Sequence, residues 1–391
     1  MKRYNFDEPI DRRGTNCFKW DALPYMYGRE DLLPMWVADM DYRSPDFVME
    51  ALKRRCEHEV LGYTMPSEGY WNAVTGWLDS HYHISTHKDT LHFIPGIVAG
   101  IAYTLLCLTR PGDRVLVTTP VYPPFLNLPT QSGRTLVKCP LKISNGRFAI
   151  DFDAFERCAE GCRIFILSNP HNPAGTIWGR EVLQQIAEIC NRKGILVISD
   201  EIHADLTLPG HTHVSYSTVS PQAASHSITF TAPSKTFNIA GLGSSVCYIE
   251  NPTLRKHFFG WLDDLGVAGG NIFAFTAAEA AYAKGEEWLV LMLDYLDKNV
   301  HTLDDFIHTR LPRMKALLPE ASYLAWLDFS GYGIPHKQLA DRLINEAHVA
   351  LNDGTTFGGE AYQGCFRMNL GCPRASLLSA LENIADMLDH T

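Results

Sequence analysis

Between about residues 90 and 250, short, uniformly apolar runs alternate with segments of helical periodicity, and this alternation constrains the fold more than any other feature. Arg114-Val115-Leu116-Val117-Thr118-Thr119 reads as a buried strand closed by Pro120, and Arg163-Ile164-Phe165-Ile166-Leu167-Ser168 as another, closed by the Pro/Asn/Gly-rich turn Asn169 to Gly175. Val182, Leu183, Ile186, Ala187, Ile189 and Cys190 then recur at helical spacing up to Gly194. Ile195 to Ser199 is a third strand, running into Asp200, and Ser227 to Thr231 a fourth, leading into Lys235. Strands that are apolar throughout and alternate with helices imply a mostly parallel sheet covered on both faces, an α/β fold. Ligands bind such sheets beyond the carboxyl ends of the strands, where Asn172, Asp200 and Lys235 all fall.

The pattern changes after Gly285. Glu286 to Leu317 reads as one long amphipathic helix, followed by a strand over Ser322–Asp328, a helix from about Lys337 to Ala347, a strand over Cys365–Asn369 and a terminal helix. The expected organisation is a large domain over 50–285 and a smaller α+β domain made of 1–49 and 286–391. Lys plus Arg number 34 against 44 Asp plus Glu, so the chain carries −10 and lacks the basic balance of a nucleic-acid binder. Ile97–Leu108 is too short to span a bilayer, and the opening Met1–Glu8 has no apolar core behind its charges. No membrane association and a cytoplasmic location are therefore expected. The ten scattered cysteines read as free thiols, zinc is not expected, and the sixteen histidines read as solvated loop residues without metal-ligand spacing.

Several residues carry candidate chemistry, each with a plainer alternative. Lys235, among small and hydroxyl residues directly after a strand, suits a desolvated amine that forms a Schiff base; the alternative is a loop lysine. Asp200 at the end of a buried strand needs a positive partner, which a protonated pyridine nitrogen or an ordinary salt bridge would supply. Asn172, in the second of two Asn-Pro steps within five residues, is a turn residue or an amide aimed at a ring oxygen. Tyr122 suits stacking on a flat ring or a place in the core. Gly96, Ile97 and Val98 open an apolar helix whose free N–H groups suit a phosphate. Arg367, a lone cation within a strand, binds a carboxylate or lies on an exposed face.

Taken in order, Ser168-Asn169-Pro170-His171-Asn172-Pro173-Ala174-Gly175, Ser199-Asp200-Glu201-Ile202-His203 and Ser234-Lys235-Thr236-Phe237-Asn238-Ile239-Ala240-Gly241-Leu242 resemble the fold-type I enzymes that depend on pyridoxal 5'-phosphate (PLP). The resemblance is to the cystathionine β-lyase (C–S lyase) branch of the class I/II aminotransferase superfamily. It extends to Leu33–Asp41, Gly62-Tyr63-Thr64, Thr119–Pro124, Tyr323–Asp328 and Phe366–Asn369 with Cys372-Pro373-Arg374.

That resemblance implies a PLP-dependent transferase-like large domain and β-elimination from a sulfur-containing amino acid, releasing pyruvate, ammonia and a thiol. An aminotransferase is the alternative, and a regulatory, partner-binding role with incidental lyase activity is a third reading. Lys235 is implied to carry PLP and Tyr122 to stack on its ring, as the two catalytic residues. Asp200 is implied to pair with the ring nitrogen, Asn172 with the ring oxygen, and Gly96, Ile97, Val98 and Ser234 with the phosphate. Arg367 is implied to bind the substrate's α-carboxylate, and Tyr63 to reach the neighbouring active site of a homodimer. Two positions depart from the broader family. Ala232 stands where many relatives have Ser, so Thr231 is expected to supply the missing hydroxyl. His203 joins the cofactor set where aminotransferases of this fold usually have Tyr, and it favours the lyase branch.

Overall fold

The computed structural model describes residues 4–389; Met1–Arg3 of the charged opening segment lie outside them. A seven-stranded sheet forms from β1 (Leu91–Ile94), β2 (Arg114–Thr119), β3 (Thr135–Pro140), β4 (Cys162–Ser168), β5 (Leu196–Asp200), β6 (Ser227–Thr231) and β7 (Ser245–Tyr248). Its order is β1-β7-β6-β5-β4-β2-β3. All neighbours run parallel except β7, which is antiparallel to both β1 and β6. The strands of the predicted parallel core are nearly all buried, and separate apolar clusters cover the two faces. That is why these strands read as unbroken apolar runs rather than alternating ones.

The helix Arg180–Lys193 connects β4 to β5 and ends at Gly194, whose φ of 66° lets the chain turn back through a left-handed cap. The helix Ile97–Leu108 starts just past β1, on the same edge where β2, β4, β5 and β6 end. The sheet therefore delivers the residues after Ile94, Thr119, Ser168, Asp200 and Thr231 to one rim.

Beyond Gly285 the predicted long helix is shorter than the sequence pattern suggests. It spans Glu286–Arg310, and Lys315–Leu317 is a strand instead. Pro312 cannot continue a helical hydrogen-bond ladder, and the apolar spacing that runs past it belongs to an edge strand. We label Lys315–Leu317 β8, with β9 (Leu324–Asp328), β10 (Asn352–Asp353) and β11 (Cys365–Asn369); these form a second sheet in the order β8-β9-β11-β10, antiparallel throughout. The N-terminal segment joins this part of the molecule, because Leu33–Pro34 pairs in parallel with Val349–Ala350. Residue 50 falls inside the helix Asp46–Cys56. Among the described residues, no helix is long and apolar enough to cross a membrane.

Candidate active site

The rim encloses a cavity of about 240 Å³ lined by Gly96, Ile97, Val98, Tyr122, Asn172, Asp200, His203, Ser234 and Lys235, together with Ala38, Ser168, Ile202 and Ser244. The folding reason is local at each position. Asp200 is the last residue of β5, and its carboxylate accepts the Ile202 N–H at 3.0 Å. Asn172 is held by its own N–H, which donates to Ser168 Oγ at 3.0 Å, while its carbonyl accepts the Tyr122 N–H at 3.0 Å. Lys235 sits in the single helical turn Pro233–Thr236 that follows β6. Arg367, on β11 of the second sheet, reaches over and donates from Nη1 to Asn172 Oδ1 at 3.0 Å. The two sheets thus meet at Asn172.

Burial shapes the electrostatics. It pushes the Lys235 amine down to about 8, with Asp39 working against the shift and Arg367 adding to it. Its Nζ donates to the Ala38 carbonyl at 2.6 Å and, among the described residues, reaches no carboxylate at ion-pair distance. Burial lifts the Asp200 carboxyl to about 7. It also lowers the Arg367 guanidinium to about 10. Arg367 is 4% exposed, and its contacts are neutral oxygens: Asn172, the Trp36 carbonyl at 2.9 Å and Asn352 Oδ1 at 2.5 Å. Its Nε has no partner. The exposed-face alternative for Arg367 is thereby excluded. His203 is buried and neutral, pushed down to about 3 by burial with help from Lys235 and Arg367, and its Nδ1 is unpartnered.

Two expectations need correction. Thr231 does not line the cavity: it is buried opposite Val246 in the sheet ladder and faces Tyr282. Ser244, a residue the sequence reading passed over, brings a hydroxyl to the cavity instead. The histidines are not all solvated, since His171, His203 and the ring of His213 are buried, His171 against the Pro120 carbonyl at 2.7 Å. Their sequence surroundings, dominated by turn residues, disguise a packed rim. Tyr63 is not brought to the cavity of its own chain; it is fully exposed and lines a separate groove with Leu61, Met65 and Phe273.

The donor set fits PLP. The Lys235 amine suits its carbonyl, and the buried Asp200, without an ion-pair partner, suits a protonated ring nitrogen. The N–H groups at the start of the twelve-residue helix Ile97–Leu108 suit its phosphate. The Ser244 hydroxyl is buried, 2% exposed, at the cavity wall. Gly243, at φ +61°, packs so closely that a Cβ there would stand 2.9 Å from the Pro95 carbonyl, which keeps Ser244 against the helix start.

Comparison with known proteins agrees with this geometry. Residues 31–384 match the model of the family described as aminotransferase class I and II. The chain belongs to that family. It is 42% identical to the cystathionine beta-lyase PatB of Bacillus subtilis (strain 168) over 97% of this chain and 98% of the relative. The PLP-containing cystalysin of Treponema denticola superposes with a TM-score of 0.95 at 32% identity, covering 100% of both chains. The PLP-bound C-S lyase of Staphylococcus hominis gives 0.92 at 34%, covering 99% of this chain and 98% of that one.

Proposed function

We propose that the protein is a PLP-dependent C–S lyase that acts on cystathionine or a related S-substituted cysteine. The observation that carries this reading is that a desolvated lysine lines the cavity and a buried arginine reaches the cavity-lining Asn172, and among the described residues neither cation has a carboxylate at ion-pair distance. An amino acid supplies what Arg367 lacks, a carboxylate, and supplies Lys235 with a proton to take at Cα. The identity to a cystathionine beta-lyase over nearly the whole of both chains supports the sulfur substrate.

Arg367 binds the α-carboxylate through its free Nε and orients Cα toward the Lys235 side of the cavity. Asp200 favours a protonated ring nitrogen by its charge, and Asn172, Tyr122 and His203 frame the ring. PLP, when bound, supplies the electron sink that makes the Cα proton acidic. In its free form Lys235 is a base whose titration, lowered to about 8, raises the neutral fraction near neutral pH far above that of an ordinary lysine. It takes the Cα proton and holds it close to the departing sulfur. The reaction consumes one water and yields a thiol, pyruvate and ammonia.

The proposal extends to the assembly and the domains. A homodimer in which Tyr63 reaches the neighbouring site gives a use to the exposed apolar side chains of Val60, Leu61, Tyr63 and Met65; sedimentation as a monomer would contradict it. Residues 50–285 would bind the cofactor, and 1–49 with 286–391 would bring Arg367 to the substrate. The test is pyruvate release from L-cystathionine with no oxo acid added. Release is expected, and Lys235→Ala should lower it by at least about a thousandfold with the melting temperature retained. Amino transfer to an added oxo acid without pyruvate release would replace the lyase reading with a transaminase.

A further inference from the structure

Asp205 is a buried carboxylate that the chemistry above leaves unused. It lies in the short turn Ala204–Leu206, two residues beyond His203. Three donors converge on it: Trp77 Nε1 at 2.9 Å, the Tyr82 hydroxyl, and Thr236 Oγ1 at 2.8 Å. Among the described residues no cation pairs with it. Burying a carboxylate without a counter-ion is costly, and apolar packing of similar volume would tie these elements together at less cost. A directional acceptor is needed only if the position of a donor matters.

The donor in question is Thr236, the residue next to Lys235. The turn Pro233–Thr236 has four residues, far too few to hold a helical conformation unaided, so the place of Lys235 is set from outside. One anchor is Asn238, whose Nδ2 donates to the Met40 and Tyr42 carbonyls at 2.8 Å each. The other is Thr236 on Asp205. Since Asp205 belongs to the segment that follows Asp200 and His203, this single carboxylate sets the Lys235 turn against the end of β5. Trp77 and Tyr82, both on the helix Glu68–Tyr82, fix Asp205 in turn.

We propose that Asp205 is a positioning residue which, through the Thr236 hydroxyl, holds the Lys235 amine in register with Asp200 and His203. The assignment rests on the PLP reading of the cavity. The test compares the holoenzyme with Thr236→Val, Thr236→Ser and Tyr82→Phe. For each, the pH midpoint of the absorbance of lysine-bound PLP, kcat and KM for L-cystathionine, and the melting temperature are measured. Thr236→Val is expected to move the absorbance midpoint and lower kcat about tenfold, a misplacement effect, with KM within about twofold. Thr236→Ser should restore both, and Tyr82→Phe, which removes one of the donors that fix Asp205, should move the midpoint and kcat in the same direction by a smaller amount. If Thr236→Val does not fold, Asp205→Asn, of equal size, is expected to give the same shift in midpoint. An unmoved midpoint and kcat in the Thr236→Val variant would overturn the assignment. Absence of the absorbance from the wild-type protein would instead overturn the cofactor reading, and this assignment with it.

Discussion

Two buried lysines make opposite uses of the same desolvation. Lys19, near the N-terminus, is completely buried, and its Nζ meets Asp41 at 2.7 Å and Asp39 at 3.7 Å. Arg12 joins the same pair of carboxylates at 2.7 and 2.8 Å, and Trp20 adds a hydrogen bond to Asp41. Burial alone would raise the Asp41 carboxyl, but Lys19 and Arg12 hold it below the ordinary carboxylate range. Among the described residues Lys235 hydrogen-bonds the Ala38 carbonyl, and Arg367 hydrogen-bonds neutral oxygens and lies over the Phe357 ring. The N-terminal cluster pairs each cation with a carboxylate, whereas among the described residues neither Lys235 nor Arg367 has a carboxylate at ion-pair distance. Burial therefore does not distinguish a structural lysine from a reactive one. The presence or absence of its counter-ion does.

The contrast can be broken by substitution. Lys19→Met should cost about 3 kcal/mol of unfolding free energy in urea, since it strips one cation from a buried carboxylate. Lys235→Met in the cofactor-free protein should cost nothing or stabilise it, because it removes a desolvated amine whose burial Asp39 and Asp200 offset only in part. Equal losses at the two positions would erase the distinction. A smaller effect sharpens the same point at Arg367. Arg367→Lys keeps the charge but loses the fork, and should lower kcat/KM by about tenfold to a hundredfold, the worth of one charge-assisted hydrogen bond of about 1.5–3 kcal/mol. Unchanged kcat/KM would remove Arg367 from substrate binding.

Much of this was legible in the sequence for a physical reason. β2 and β6, which are buried on both faces, and β11, which is closed by sharp changes of composition, match the expected residues to both ends. Asn172, Asp200 and Lys235 were legible because a parallel sheet places whatever follows its strands on one rim. What escaped has no residue-type signature. The Ala38 carbonyl that holds Lys235 is backbone, and so is the Trp36 carbonyl that holds Arg367. Tyr323, whose hydroxyl donates to Ala38 at 3.0 Å, reads as one more residue of an alternating strand. Ser244 and Asp205 escaped because their importance comes from what surrounds them. The end of the long helix was misplaced because an apolar edge strand continues its spacing beyond Pro312.

The measurement that tests the central claim most directly is the pH dependence of PLP capture by cofactor-free protein, followed by the absorbance of lysine-bound PLP and by borohydride trapping at Lys235. Only the neutral amine attacks the PLP carbonyl, so capture should accelerate with pH and level off above a midpoint near about 8, where burial has lowered Lys235. A midpoint near the ordinary lysine value of 10.5 would mean that Lys235 is solvated or paired like any surface amine, and would contradict the account.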